Sequence, residues 1–256
     1  MSLGYAAAQV RDQDHDRFHL ALAAPRQVQE GWLALAAFNL ELARTASRVS
    51  DPNLGLIRLE WWREVLQEID GNGPVRGHEV ARSLESIGAN LDTTNLSLMI
   101  NARAQDLEER PFADVEALRA YLLQTAGVLQ TAQAGLLGLE GYEGMSNHLG
   151  CAFGFVGCAR ALAAGRAGEL RLPEAWMAEP LEGIAEAIGQ AAMHLDRAQE
   201  LRKEHSDPKA LRSVFATGYV VQAWINRLSR RAVKLGQGSY ARPLPFQALR
   251  LALLRA

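Results

Sequence analysis

Apolar residues recur at helical spacing along nearly the whole chain. Leu118, Leu122 and Leu129 fall on one such stripe, and Ile184, Ala187, Ile188 and Ala191 on another. Strand-like alternation with β-branched enrichment is almost missing, so the pattern predicts an all-α protein. It is interrupted at "SDPNLG" (50–55), "DGNGPVRG" (70–77), "EERPF" (108–112), "GLEGYEG" (138–144), "GRAGELRLPE" (165–174), "SDP" (206–208) and "GQGSYARPLP" (236–245). These breaks divide the chain into about eight helices, as expected of a single-domain multi-helix bundle over residues 1–256. No repeat of fixed period and no linker-like stretch is present.

Two stretches change that picture. "TAGVLQTAQAGLLG" and "HLGCAFGFVGCARALAAG" are rich in Gly, Ala and Cys, which either lets helices approach closely or leaves room for a ligand. "YLLQTAGVLQTAQAGLLGL" (121–139) carries no formal charge, yet its Gln, Thr and Gly content is too costly against lipid. It reads as a buried helix of a globular bundle.

A hydrophobic fraction of 48% with 22% charged residues is that of a folded globular chain. Cys151 and Cys158, seven residues apart on one helix, are about 10 Å apart along its axis, too far for a disulfide. Two unpaired thiols and no secretory signal fit the cytoplasm. The net charge of −2 is unevenly spread. No acid follows Asp207, while Lys209, Arg212, Arg227, Arg230, Arg231, Lys234, Arg242, Arg250 and Arg255 give +9, leaving −11 for residues 1–207. The basic 208–256 region is a candidate surface for an anionic membrane, at the inner face of which the protein would be peripheral, or it balances the acidic remainder. Without aromatic interleaving or a recognised motif it does not point to nucleic acid.

Candidate chemistry is sparse. Asp12, Asp14 and Asp16 alternate as at the start of a calcium loop, but Arg17 and Ala23 stand where that loop needs Gly and Glu, so a solvated helix-starting segment fits better. His15 and His19 are four apart with no third metal ligand in view, and the other histidines are dispersed. The glycines of 154–168 follow no strand, which excludes a dinucleotide fingerprint and a P-loop. In "RLEWWREVL" the side chains of Trp61 and Trp62 are about 100° apart, so one is core and the other rims it. Arg58, Glu60, Arg63 and Glu64 are spaced for pairs within the helix.

In order, "FHLALAAPRQVQEGWLALAAFN", "RLEWWREVL", the Asp106, Tyr121, Ala126–Gly127 series and "LGCAFGFVGCARALAAGRAGELRLPEAW" resemble the landmarks of the squalene/phytoene synthase family. The resemblance implies the isoprenoid synthase fold and a head-to-head prenyl transferase ancestry. In that family two Asp-rich motifs hold Mg²⁺ against a diphosphate, because hard cations take carboxylate oxygens and leave positions for phosphate. Matched to the first motif, this chain has Ala43, Arg44 and Ser47; matched to the second, Arg160 and Ala164. Residues 42–49 and 153–168 contain no Asp or Glu at all. "AFNLELA" and "GLIRLEWWREVL" are more similar to a branch with the same loss, the one that includes the mitochondrial assembly factor for respiratory complex I. One departure is Glu79 after His78, where that branch has Pro.

The resemblance therefore implies a pseudoenzyme with no catalytic residue, no metal and no cofactor, with a protein partner in complex assembly and an isoprenoid or lipid ligand as candidates. Asn39, Asp106, Tyr121, Gln124 and Arg160 would line the remaining pocket. The alternative is an active prenyl transferase whose Mg²⁺ site is rebuilt from Glu41 or Asp51 facing Asp106.

Overall fold

Periodic apolar positions, set off by capping residues, wind into thirteen α-helices among the described residues of a computed structural model. These residues are 4–71, 73–139, 141–205, 211–229, 233–242, 244–245 and 247–253. The helices are α1 (Tyr5–Gln13), α2 (His15–Ala23), α3 (Gln29–Ala43), α4 (Pro52–Asp70), α5 (Glu79–Glu85), α6 (Thr93–Arg103), α7 (Val115–Leu122), α8 (Val128–Gly135), α9 (Glu143–Ala163), α10 (Glu174–Ala178), α11 (Pro180–Glu204), α12 (Arg212–Ser229) and α13 (Gln247–Leu253). No strand occurs among the described residues, where the sole β-type contact is a bridge between Phe112 and Pro173.

The six breaks that fall on described residues all separate helices; the seventh, "SDP", lies outside them. The count exceeds eight because five further boundaries lie between those breaks, four of them at a lone Pro25, Gly88, Gly127 or Pro180 and one with neither residue. At one of these, Asp14 accepts a hydrogen bond from the Arg17 amide and starts α2 directly after α1. The acidic segment is not wholly solvated, since Asp16 is only 2% exposed.

Two apolar cores result. The first is built on α7, α9, α11 and α12, with Leu118, Phe155, Trp176 and Trp224 inside it. The second lies among α1, α3, α4, α5, α6 and α8, around Trp32, Phe38, Trp62 and Met99. Trp62 is buried and Trp61 partly exposed, and each stacks edge-on against the other and against His78. Arg63 pairs with Glu60 as the helical spacing predicts, but Arg58 and Glu64 pair outside α4, with Glu41 and Arg76.

Between α7 and α8 the chain makes a π-helical turn, Leu123–Gly127. Its extra residue offsets the two helices by about 100°. Leu118 and Tyr121 before the turn face the first core, and Val128 and Leu129 after it face the second.

The small residues of α9 serve close approach. A Cβ on Gly150 would stand 2.1 Å from the Ala126 carbonyl oxygen and 2.7 Å from the Gly127 Cα, and one on Gly154 would stand 2.8 Å from Leu122. The π-turn is pressed onto α9 at these points.

Candidate functional site

Helix α3 carries little chemistry because it is buried almost all round. Every residue from Trp32 to Asn39 is buried, as are Glu41 and Leu42. The first-motif positions fall where it ends: Ala43 is exposed, Arg44 is its C-cap, and the exposed Ser47 hydroxyl donates to the Arg44 carbonyl at 3.1 Å.

Glu41, 2% exposed, accepts hydrogen bonds from Gln9 at 2.6 Å and from Arg48 and Arg58 at 2.8 Å each. Burial pushes its carboxyl upward, but the Gln9 hydrogen bond and the two guanidinium groups outweigh this and hold it below the usual carboxylate range. Asp51 caps α4 through the Asn53 amide. Asp106 is held by Arg103 and Tyr121 instead, so the three acids share no hydrogen-bond partner among the described residues.

Asn39, Asp106 and Tyr121 do come together, around a residue the sequence reading passed over. Arg103 donates to Asp106 at 3.1 Å, to the Tyr121 hydroxyl at 2.6 Å and to Asn39 at 2.9 Å, and Tyr121 donates to Asp106 at 2.7 Å. Burial raises the Tyr121 phenol well above its ordinary value, so it stays protonated. Arg103 ties α3, α6 and α7 into one closed network. Its signal was the stripe Leu96, Met99, Ile100, Arg103, which continues the apolar face of α6 into a charge.

Gln124 and Arg160 stand elsewhere. Gln124 is exposed on the π-turn. Arg160 lies in a separate open cleft of about 250 Å³ between α2, the end of α9 and the segment around Tyr240, with Ala164 on the cleft wall. Its guanidinium donates to Asp16 at 2.6 Å and to the Tyr240 carbonyl at 3.0 Å, and it stacks 4.0 Å over the Trp224 ring. Trp224 also donates to Asp16, at 3.1 Å. Asp16 shares the inward face of α2 with Leu20 and Ala23, a spacing that could have marked it as buried.

The cleft neutralises itself: Arg17 pairs with Asp14, Arg160 with Asp16 and Arg166 with Glu169. Arg17 also lies 4.5 Å over Phe153, and behind this pair is a void of only about 10 Å³ bounded by Leu20, Ala126, Leu129, Gln130 and Gly150. The helix centre is thus packed by side chains.

Mg²⁺ does not fit these residues. At the motif positions there is no oxygen-rich pair, and the acids nearby are held by arginines. No group of three His, Cys, Asp or Glu that could hold a metal occurs among the described residues. Two histidines distant in sequence do meet, His148 and His194, with their Nδ1 atoms 2.8 Å apart and the Cys151 sulfur 3.5 Å from His194 Nε2. Burial, then the neighbouring His148, lowers His194 to about 4, while burial pushes Cys158 up to about 12.

Of the basic C-terminal residues, Lys209, Arg230, Arg231 and Arg255 lie outside the described residues; Arg212, Lys234, Arg242 and Arg250 are exposed, and Arg227 stacks on Trp224 and Tyr240. Among the described residues no helix is long and apolar enough to cross a membrane.

Two solved structures share this architecture. A dehydrosqualene synthase bound to a ligand superimposes with a TM-score of 0.68 at 14% identity, over 98% of this chain and 94% of its own. Squalene synthase HpnC from Alicyclobacillus acidocaldarius gives 0.70 at 15% identity, over 93% and 94%. In sequence, NADH dehydrogenase (ubiquinone) complex I, assembly factor 6 of Mus musculus and of Bos taurus are each 26% identical over 160 residues, 61% of this chain and 48% of theirs. The Homo sapiens protein is 25% identical over the same span. The chain spans about half the length of these curated relatives. The squalene/phytoene synthase family model matches residues 10–244, and the chain belongs to that family.

Proposed function

We propose that this chain is a non-catalytic member of the family that acts by binding, as an assembly partner of the kind that complex I assembly factor 6 is by name. The observation that carries the reading is Arg160. At a position where the family's chemistry requires a metal-binding carboxylate, a guanidinium is fixed by Asp16, Trp224 and a carbonyl. A guanidinium there gives Mg²⁺ no oxygen ligand and occupies the nearest carboxylate, and without the metal the leaving diphosphate loses several kcal/mol of stabilisation, at tenfold in rate for each ~1.4 kcal/mol. The partner is a protein of the assembling complex. The cleft beside Arg160 is the place for an isoprenoid or lipid headgroup, and the basic C-terminal residues are the contact with the inner face of an anionic membrane, approached from the cytoplasm.

The deciding experiment measures diphosphate release from farnesyl and geranylgeranyl diphosphate with Mg²⁺, with and without NADPH, beside an active synthase. Release at the protein-free background is expected. Mg²⁺-dependent release above it overturns the reading.

A further inference from the structure

The last helix and α12 enclose a second groove, of about 260 Å³, which shares no lining residue with the Arg160 cleft. Val220, Leu244 and Leu251 form its apolar floor, Tyr219 stands half-exposed on its wall, and Arg250 lies on its rim. Gln247 also lines it. That side chain is only 4% exposed and its Oε1 and Nε2 are closed to solvent, yet neither has a hydrogen-bond partner among the described residues, and a ligand meets them once the side chain turns into the groove. A buried amide with donor and acceptor both unmet is rare, because each group has given up water for nothing.

We propose that this groove binds the carboxyl-terminal end of a partner polypeptide whose final residue is apolar. A peptide unit offers a C=O and an N–H side by side, the complement of what the Gln247 amide lacks. Gln247 and Arg250 are three residues apart on one helix, so they are neighbours about 5–6 Å apart. That matches the spacing of a last peptide unit and the terminal carboxylate one residue on, with the apolar side chain against Val220, Leu244 and Leu251. Charge agrees, since Arg250 is the one charged residue lining the groove among the described residues and no acid follows Asp207 in the chain. An acyl chain fits less well, because it leaves the amide unmet.

This inference rests on the binding role proposed above only for its biological meaning. Its test reads the groove directly, whereas diphosphate release reads the cleft, so either can fail alone.

The test is an NMR titration of the full chain, labelled at side-chain amides and methyl groups, with N-acetyl-leucine as the minimal probe. The Gln247 amide and the Val220 and Leu251 methyls should shift, with a Kd on the order of millimolar for so small a ligand. N-acetyl-leucinamide, without the carboxylate, and 4-methylpentanoate, without the amide, should each bind about tenfold more weakly, a difference of about 1.4 kcal/mol. Gln247→Leu should abolish the preference for the amide-bearing probe and hold or raise Tm; Arg250→Ala should abolish the preference for the carboxylate with Tm unchanged. Equal binding of 4-methylpentanoate would make the groove an acyl site and overturn the proposal. So would the absence of groove shifts, or a Gln247→Leu protein that is destabilised and still prefers the amide.

Discussion

Arg103 and Arg160 take the same kinds of partner in opposite settings. Each holds an aspartate and lies against an aromatic ring, Tyr121 at 5.6 Å and Trp224 at 4.0 Å. Arg103 is enclosed by a network in which it donates to Asp106, Tyr121 and Asn39 and Tyr121 donates to Asp106, while its own Nε has no partner among the described residues. Arg160 closes one wall of an open cleft, and its aspartate keeps one oxygen, Oδ1, without a partner. A buried guanidinium can thus be a staple between helices or a strut at the edge of an open cleft. The surrounding acceptors, more than the arginine, decide which.

The largest expected effect separates the two directly. Arg160→Ala leaves the 2%-exposed Asp16 without its counter-charge and with the Trp224 indole as its one remaining side-chain donor among the described residues, and should cost about 3–5 kcal/mol in denaturant unfolding. Arg103→Ala leaves Asp106, 17% exposed, within reach of water and of Tyr121, and should cost less, about 2–3 kcal/mol. An equal or reversed order would erase the distinction.

Gly150→Ala tests the packed centre that divides the two sites. With a backbone oxygen only 2.1 Å from the new Cβ, helix α9 must move off the π-turn, at about 2–3 kcal/mol. A neutral outcome in thermal unfolding would mean that the centre is slack.

Acid supplies a control at a separate, partly buried cluster, His148 and His194. Unfolded, His194 binds its proton near its ordinary 6.5; folded, near 4. Its contribution is full above 6.5 and is lost as pH falls toward 4, about 1.5 kcal/mol of it between pH 6.5 and 5. The groups bearing on this pair are His148, Cys151, Arg119, Glu116 and Arg197. Stability of the wild type and of His194→Gln across this range checks it; the variant should have the flatter profile. Glu41, held low by its arginines, adds a loss of the same sign at more acid pH.

The smallest effect is Tyr121→Phe, about 1 kcal/mol, because Arg103 retains Asp106 and Asn39. A loss as large as that of Arg103→Ala would make the phenol the centre of the network.

The helices were legible because their ends are written in Gly and Pro. Where the chain turns on a capping side chain, as at Asp14, or widens inside a continuous helix, as at Leu123–Gly127, local sequence has no clear marker. The absence of any Asp or Glu from residues 42–49 and 153–168 was also plain, since it depends on residue identity alone. Arg103 and Asp16 were not, although each extends an apolar stripe of its helix, because a charge on such a stripe has meaning only through partners far away in sequence. Asp16 and Arg160 are 144 positions apart. Asn39, Asp106 and Tyr121 meet, while Gln124, only three residues from Tyr121, points to solvent across the π-turn.

That turn makes residue count, apart from residue type, a property on which the fold depends. Deleting one position within 123–127 would restore an unbroken α-helix and swing everything beyond it by about 100° relative to α7. Leu129 and Ala132 would then leave the second core while Tyr121 stayed in the first. Single substitutions at the exposed Gln124 should pass almost unnoticed, and a deletion beside it should not. The segment is robust to spelling and brittle to length.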